Sequence, residues 1–301
     1  MRLVVTGGTG FIGGDLREAL LRHGHTLSVV TRATASRAAQ PGCRYISWDA
    51  DAWRSAVEEA DGVINLAGEP IASGRWSEER KRLIRASRVE TTHRVVEAMA
   101  AVSRRPSVLV SASAIGYYGP HGSEELTESD PPGAGFLAET CQAWEGEALR
   151  AEALGVRVVC LRIGLVLGPD GGVLSKMLAP FRAFLGGPVG SGRQWVSWIH
   201  RDDVIGLAEW SLEHASVSGA VNATAPTPLT MEEFARELAR ALRRPCFALV
   251  PSIVARALLG EMAQLVLTGQ RVTPQAAQHG GYTFRYPGLA EALRACVGRT
   301  G

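Results

Sequence analysis

A glycine-rich stretch near the start of the chain, TGGTGFIG at 6–13, constrains the fold more than any other feature of the sequence. It lies between an apolar, β-branched run at 3–6 and a helical pattern that extends from 11 to 22. In such a strand–turn–helix unit the first glycine permits a tight turn, and the second lets the backbone approach a diphosphate. The third lets the helix pack against the strand, and the helix N-terminus attracts phosphate. The stretch predicts a dinucleotide-binding loop formed by Gly7, Gly10, Phe11, Ile12 and Gly13, with a plain glycine turn as the alternative.

Apolar runs that alternate with helical patterns continue through the first 165 residues. Further strands are predicted at 26–31, 44–47, 62–66, 107–112 and 156–163, and long helices at 77–101 and 136–154. Strands as apolar as these belong to a parallel sheet that helices cover on both faces. The sequence therefore predicts an α/β fold with a doubly wound parallel sheet of the Rossmann type.

The pattern changes after Gly164, where paired glycines and the GSG at 190–192 mark a loop-rich stretch. Short strands are predicted at 198–199 and 220–223 around a helix from Asp202, and further helices at 231–242, 253–268 and 282–293. We expect residues 1–165, completed by 196–225, to form the nucleotide-binding domain. Residues 166–195 and 226–301 are expected to form a smaller, mostly helical domain on the substrate side.

The residues that follow the predicted strands indicate which dinucleotide binds. An NAD site usually has an acid after the second strand to hold the ribose 2′-hydroxyl, but this chain has Arg32 there and Arg37 shortly after. A guanidinium suits a 2′-phosphate, so NADP is favoured over NAD, and a solvated arginine is the alternative. Asp49 is expected either to accept from the adenine amino group or to cap a helix. The remaining predicted cofactor contacts lie at the carboxyl ends of the fourth and fifth strands: Leu66, Ala67, Gly68 and Ser111.

Composition and cysteine spacing exclude several classes of protein. The net charge is +2, and the acids are interspersed among thirty arginines and two lysines, so there is no basic stripe for nucleic acid. Five scattered cysteines without a C-x-x-C predict neither a metal site nor a disulfide framework. No apolar run reaches the length of a membrane span, and the charges at 15, 17 and 18 interrupt any signal peptide. We expect a protein of the reducing cytoplasm that contacts neither membrane nor nucleic acid.

Several motifs resemble the extended short-chain dehydrogenase/reductases, the NAD(P)-dependent epimerase/dehydratase group. They are TGGTGFIG at 6–13, NLAG at 65–68, SASA at 111–114 leading to Tyr118, and WIHRDD at 198–203. A narrower resemblance covers nearly the whole chain, through SASAIGYYG at 111–119, FLAETCQAWE at 136–145 and GSGRQWVSWIH at 190–200. It is to the branch of epimerase-family proteins whose C-terminal piece is a domain of unknown function. The resemblance implies an NAD(P)-binding Rossmann fold in a branch that has no agreed substrate.

The extended group moves protons with a Tyr-x-x-x-Lys pair and a Ser or Thr, and its lysine lowers the pKa of the tyrosine phenol. In this chain none of the five tyrosines, at 45, 117, 118, 282 and 286, has a lysine four positions on. Aligned on Glu145, the matching helix has Leu137 and Cys141 at the two positions. Neither residue can perform the transfer, so the standard mechanism is not predicted. We expect both to border the nicotinamide pocket without any proton chemistry.

Substitutes for the missing pair are expected at the same edge of the sheet. Ser113 matches the hydroxyl of the group and is predicted to donate to a substrate carbonyl, with a strand-end turn as the alternative. Tyr117 or Tyr118 is predicted to bring a phenol to this pocket, and at least one of the two is expected to be a buried packing residue. His200 is a candidate acid or base, or else it orients the loop before Asp202.

The segment RWSEERKRLIRASR at 75–88 contains six basic and two acidic residues. On a helix, Lys81, Arg85 and Arg88 share one face, which is either a solvated face or a set of cations that enters the cleft and favours an anionic substrate. Trp195 and Trp198 are each expected to be a core residue or a wall of the pocket.

Two functions follow from these motifs. The leading hypothesis is an NADP-dependent, epimerase-like oxidoreductase that acts on a small polar substrate with catalytic residues of its own. The alternative is a non-catalytic protein that binds NADPH and senses redox state or scaffolds a partner, which the missing Tyr-x-x-x-Lys pair favours.

Overall fold

Short apolar strands alternate with amphipathic helices along most of the chain, and the computed structural model describes residues 1–32, 34 and 40–298 of it. Arg37 lies outside the described residues. The strands are Arg2–Thr6 (β1), Thr26–Val30 (β2), Cys43–Ile46 (β3), Gly62–Asn65 (β4), Val108–Ala114 (β5), Glu125–Leu126 (β6), Arg157–Ile163 (β7), Leu165–Leu167 (β8), Trp195–Val196 (β9), Trp198–His200 (β10), Gly219–Ala223 (β11), Leu229–Thr230 (β12) and Arg271–Val272 (β13).

The helices that cover and extend the sheet follow the predicted order. They are Gly13–Arg22 (α1), Ala50–Glu59 (α2), Glu78–Ala100 (α3), Phe136–Leu149 (α4), Gly172–Arg182 (α5), Arg201–Glu213 (α6), Met231–Leu242 (α7), Ser252–Leu259 (α8), Gln264–Leu267 (α9), Gln275–His279 (α10) and Leu289–Val297 (α11). Short 3₁₀ turns occupy Ile115–Tyr118, Arg150–Leu154 and Gly260–Ala263. Among the described helices, none combines the length and the apolar composition that crossing a membrane requires.

Seven strands form the central sheet in the order β3–β2–β1–β4–β5–β7–β11, and every pairing is parallel. The predicted doubly wound parallel sheet is confirmed. The strand order reverses between β1 and β4, because the chain builds outward to β3 and then returns to the other side of β1. In a doubly wound sheet, this reversal opens a crevice at the carboxyl edge, and ligands bind there.

The apolar residues of the strands are buried on both faces of the sheet. Val4 packs on one face with Met99 of α3, and Val5 packs on the other with Leu207 of α6. A third apolar cluster surrounds Trp198 and Phe234 in the later part of the chain. Trp198 is therefore a core residue, and its indole N–H donates to the carbonyl of Thr227 over 3.0 Å.

Two of the predicted C-terminal helices are wrong. The helix predicted at 253–268 is interrupted at Gly260, whose φ of +61° is incompatible with a helix. The helix predicted at 282–293 begins only at Leu289. The segment before it is not helical, because the buried carboxylate of Asp203 accepts the backbone N–H groups of Arg285 (2.7 Å) and Tyr286 (3.0 Å).

Asn65 links four elements beneath the carboxyl edge of the sheet. Its side-chain oxygen accepts from the Thr6 hydroxyl over 2.6 Å, and its amide nitrogen donates to Thr92 (2.8 Å) and Ser111 (3.3 Å). All four residues are fully buried, so their polar groups need partners within the protein, and Asn65 supplies one to each hydroxyl. Ser111, a predicted cofactor contact, lies within this buried cluster.

Replacing Asn65 by leucine should destabilise the protein by about 2–4 kcal/mol, because the buried hydroxyls of Thr6, Thr92 and Ser111 then lose a partner. Urea unfolding measures the loss. Thr26→Val, at an exposed position on β2, is the matched control and should change stability by less than about 0.5 kcal/mol. Equal effects of the two substitutions would contradict the linking role of Asn65.

Candidate functional site

The glycine loop after β1 closes against the end of β4. Gly7 has a φ of +69°, and a Cβ atom built on it would lie 2.6 Å from the carbonyl carbon of Leu66 and 2.8 Å from the nitrogen of Ala67. A Cβ on Gly13 would lie 2.1 Å from the carbonyl oxygen of Gly7. Protein backbone thus fills the space beside both glycines, and no other residue fits at either position.

Gly10 differs from these two glycines, because the protein does not crowd it. It is exposed, and its built Cβ would meet only the carbonyl oxygen of Gly7, at 3.3 Å. Among the described residues, no side chain caps the N-terminus of α1. The first turn of α1 therefore presents backbone N–H groups beside an open glycine, which is the arrangement that accepts a diphosphate.

The other predicted cofactor contacts lie around this loop. Arg32 is exposed two residues after β2, and a Cβ on Gly8 would touch Val29 of that strand at 2.9 Å. Asp49 occupies the N-cap position of α2, but its side chain bonds to Ser47 and to no helix N–H.

Phe11 and Ile12 face in different directions from the loop. The Phe11 ring lies against Gly168 and Gly171, whose built Cβ atoms would approach it to 2.8 Å, and Arg201 lies 4.7 Å from its centroid. Ile12 is the N-cap of α1 and packs against the core below the sheet edge.

Ser113 at the end of β5 belongs to a buried ionic network. Its hydroxyl donates to Oε1 of Glu145 over 2.6 Å. Glu145 in turn accepts two parallel hydrogen bonds of 2.9 Å from the guanidinium of Arg162 on β7. The side chains of this pair are only 5% and 7% exposed, so the two charges neutralise each other away from water.

The two tyrosines of the loop after β5 occupy different environments. Tyr118 is fully buried, and its hydroxyl donates to Asn222 over 2.7 Å and accepts from Arg162 over 3.0 Å. Burial raises the pKa of Tyr118 to about 12, although Arg162 and Asn222 favour the ionised form. Tyr117 is half-buried, and its ring lies over the guanidinium of Arg162 at 3.5 Å.

The positions that match the missing pair lie under this loop. A Cβ on Gly116 would approach the Cβ of Leu137 to 3.3 Å and the sulfur of Cys141 to 3.8 Å. Burial raises the pKa of the Cys141 thiol to about 12, and the charge of Glu145 adds to this effect. Cys141 therefore stays protonated at neutral pH and is no nucleophile.

His200 lies at the start of α6 and is buried. Its Nδ1 accepts from the backbone N–H of Asp202 over 3.1 Å, and its ring centroid lies 4.0 Å from that of Tyr286. This geometry makes His200 the N-cap of α6.

The basic side chains of the segment at 75–88 lie partly on the surface and partly toward the cleft. Lys81 pairs with Glu78 (2.6 Å) and Glu261 (3.0 Å), and Arg80 pairs with Glu69 (3.2 Å). Arg82 and Arg85 are exposed. Arg88 alone among these cations lies against Gly68, whose built Cβ would be 3.2 Å from the guanidinium carbon.

Three polar residues of this region were not predicted from the sequence as functional. Arg162 is a charged residue inside an otherwise apolar strand, VRVVCLRI at 156–163, which is a signal for a buried pair. Glu145 on the helical segment binds Arg162 directly, and Asn222 on β11 is linked to it through Tyr118, but no sequence spacing relates the three.

Comparison with known protein families places most of the chain in two models. A model described as the NAD dependent epimerase/dehydratase family matches residues 3–223. A domain of unknown function, DUF1731, matches residues 250–296. The two matches together cover the central sheet and the C-terminal helices α8 to α11.

Several known proteins are similar to this chain over nearly its whole length. The Arabidopsis thaliana epimerase family protein SDR39U1 homolog, chloroplastic, is 43% identical over 306 residues, which cover 99% of this chain and 87% of that protein. Epimerase family protein YfhF of Bacillus subtilis is 38% identical over 300 residues, with coverage of 99% and 98%. The crystal structure of human epimerase family protein SDR39U1 with NADPH is 35% identical, covers 99% of each chain and superposes with a TM-score of 0.89.

Arg162→Met should destabilise the protein by about 3–5 kcal/mol, because it leaves the buried Glu145 without its counter-charge. Adding Glu145→Leu should restore part of this loss, since no unpaired charge then remains. Urea unfolding of both variants measures the effect. The control is Arg236→Met, which breaks an exposed ion pair with Glu232 and should cost less than about 1 kcal/mol. A similar loss at both arginines would contradict the buried-pair assignment.

Proposed function

The chain belongs to the NAD dependent epimerase/dehydratase family, and from this premise we propose that it binds NADPH and acts as an epimerase-like oxidoreductase on a small polar substrate. The observation that carries the proposal is the loop at 6–13. Gly7 and Gly13 are required by the packing of the protein itself, whereas Gly10 is much less crowded, with the Gly7 carbonyl oxygen at 3.3 Å from its built Cβ. A bound diphosphate over α1 accounts for a glycine at that position.

Two observations support NADPH as the cofactor: the positive charge of Arg32 and the similarity to a relative solved with NADPH. Arg32 is exposed at the end of β2, where a guanidinium can bind a 2′-phosphate, and Arg37 follows in the sequence. A human relative with 35% identity over nearly the whole chain has been solved with NADPH. In this assignment Asp49 and the residues that follow the carboxyl end of β4, at 66–68, border the adenosine half of the cofactor.

Ser113 and Tyr117 are the residues that we assign to the reacting group. NADPH, when bound, supplies a hydride to an electron-poor carbon, and the protein must then provide a proton. Tyr118 cannot provide it, because its hydroxyl is buried between Arg162 and Asn222. Tyr117 is the half-buried phenol of the pair and provides the proton in this assignment. The single hydroxyl proton of Ser113 is donated to Glu145, so Ser113 does not donate to a substrate carbonyl in this arrangement and can only accept a hydrogen bond.

A second function is favoured by one observation, namely that Leu137 and Cys141 lie at the positions of the Tyr-x-x-x-Lys pair. A protein without a proton-transfer pair still binds NADPH and can report its level or hold a partner. Incubation of the NADPH-loaded protein with a library of carbonyl compounds and sugar nucleotides distinguishes the two functions. Oxidation of NADPH, or interconversion of a library compound without net oxidation, supports the enzyme, and the absence of both throughout the library supports the binding protein.

NADPH should bind at least about tenfold more tightly than NADH, because a charge-assisted pair between Arg32 and a phosphate contributes about 1.5–3 kcal/mol. Arg32→Ala should reduce this preference. The control variant, Arg54→Ala, removes an exposed arginine from α2 and should preserve it. Calorimetry with both cofactors makes the comparison, and equal affinities in the unmutated protein would refute the assignment of Arg32.

Gly10→Val should abolish NADPH binding and leave the protein folded, because among the described atoms its Cβ meets the Gly7 carbonyl oxygen, at 3.3 Å, and otherwise occupies the space where the diphosphate is expected. Fluorescence titration with NADPH and thermal unfolding are measured on the same sample. Gly146→Val, at an exposed position of α4 with nothing within 4 Å, is the control for a general effect of valine. Undiminished affinity in the Gly10 variant would mean that the loop is only structural.

Once a substrate is found, Tyr117→Phe should lower the rate by about 10²–10⁴, the usual cost of losing a proton donor. Ser113→Ala should also lower it, whereas Cys141→Ala should be nearly silent because the thiol is neutral and buried. Single-turnover oxidation of NADPH follows the chemical step in each variant. A silent Tyr117 variant beside a disabled Cys141 variant would identify the thiol as the reactive group.

A further inference from the structure

Arg88 is a cation that faces the cleft from α3, between the end of β4 and helix α4. Its guanidinium carbon would lie 3.2 Å from a Cβ on Gly68, and it lies 5.3 Å from the centre of the Trp144 ring on α4. Gly68 itself is exposed, two residues beyond the Leu66 backbone against which the glycine loop closes. Arg88 therefore lies at the carboxyl edge of the sheet, on the side of α4 and away from α1.

The charge of Glu69 acts on Arg88, but from beyond the distance of an ion pair. Among the described residues, no Asp or Glu oxygen lies within 4.0 Å of Arg88, and its hydrogen bonds go to the carbonyl of Ile84 (2.9 Å) and the hydroxyl of Ser87 (3.5 Å). The sulfur that interacts with it belongs to Cys141, whose protonated thiol carries no charge. Burial lowers the pKa of the guanidinium, so holding the charge here costs free energy.

A second donor, the indole N–H of Trp144, lies beside Arg88. Trp144 is 5% exposed, and among the described residues no acceptor reaches its buried indole N–H. Buried donors in folded proteins are paired in the great majority of cases, and a half-buried charge is paired or bound to a ligand. Among the described residues, Arg88 has no carboxylate within 4.0 Å and the neighbouring Trp144 N–H has no acceptor, and together these two donors mark a place where an anion can bind.

We propose that Arg88 binds the anionic group, a phosphate or a carboxylate, of the substrate that enters the cleft beside Leu137 and Cys141. This inference rests on the proposed function and adds to it the class of substrate. The positive charge at this end of the cleft then comes from α3, whereas α4 carries a neutral cysteine at the position that matches the lysine. Arg88 serves to bind and orient an anion, because no tyrosine stands four positions before Cys141 to be activated.

The diphosphate of the cofactor is the competing source of an anion, and the geometry favours the substrate. The diphosphate is expected at the N-terminus of α1, where Gly10 is open. Arg88 instead contacts residues of α4, next to the loop that carries Ser113 and Tyr117.

The test titrates inorganic phosphate, and separately acetate, into NADPH-loaded protein at constant ionic strength, with binding followed by calorimetry and by thermal unfolding. We expect Arg88→Gln to weaken anion binding at least about tenfold, since charge-assisted hydrogen bonds are lost, and to leave the affinity for NADPH within about twofold. Arg88→Lys should keep part of the anion affinity. Arg82→Gln removes an exposed arginine from the same helix and should behave as the unmutated protein.

A second readout separates a binding residue from a structural one. Without ligands, the Tm of Arg88→Gln should equal or exceed that of the unmutated protein, because an unbalanced half-buried charge is removed. A lowered Tm, or anion binding that Arg88→Gln does not change, overturns the proposal, as does an unmutated protein that binds neither anion.

The remaining outcomes locate the failure. If Arg88→Gln lowers NADPH affinity tenfold and neither anion binds, Arg88 holds the diphosphate of the cofactor and the substrate assignment is wrong. If the unmutated protein does not bind NADPH, the proposed function fails, and the same anion titrations of the ligand-free protein still decide the role of Arg88.

Discussion

The bidentate pair between Arg162 and Glu145 holds the region around the candidate active site in one arrangement. It joins β7 to α4, and through Ser113 and Tyr118 it also fixes both ends of the segment that follows β5. A buried ion pair gives little net stability, but each of its members is costly to leave alone. The pair therefore fixes geometry more than it adds stability, and it holds Ser113 at the end of β5 and Tyr118 in the following turn in place.

The same network explains why the site differs from that of the extended dehydrogenases. In the usual arrangement a tyrosine and a lysine on one helix share the task of moving a proton. Here α4 places a leucine and a neutral thiol toward the loop, and it commits its carboxylate to an arginine of the neighbouring strand. In the function that we propose, the reacting groups come from the end of β5, the turn after it and α3, and α4 serves as scaffold.

Periodicity and turn chemistry predicted much of the fold. The alternation of apolar strands and helices specified the parallel sheet, and the TGGTGFIG loop located its ligand-binding edge, because both depend on local patterns of the sequence.

Tertiary contacts decided the parts of the fold and of the site that the sequence did not predict. The sequence at 282–288 predicts a helix, but two of its backbone N–H groups donate to the carboxylate of Asp203 instead. No local pattern of the sequence indicates this contact. Likewise Arg162 and Glu145 are seventeen residues apart in the chain and meet only when β7 lies beside β5. The inward position of Arg88 among six cations also needed the structure, since two of the other five share its helical face.

Asp203 holds the C-terminal segment mainly through backbone N–H groups, those of Arg285 and Tyr286, with the Tyr282 hydroxyl as a weaker third donor at 3.3 Å. An attachment of this kind depends on the backbone path of the C-terminal segment and hardly on its side chains. Mutations that accumulate at 285 and 286 over evolutionary time would therefore leave the attachment intact, whereas a change of the single aspartate on α6 would release it. The C-terminal segment can therefore vary in sequence at these positions and still stay attached to α6.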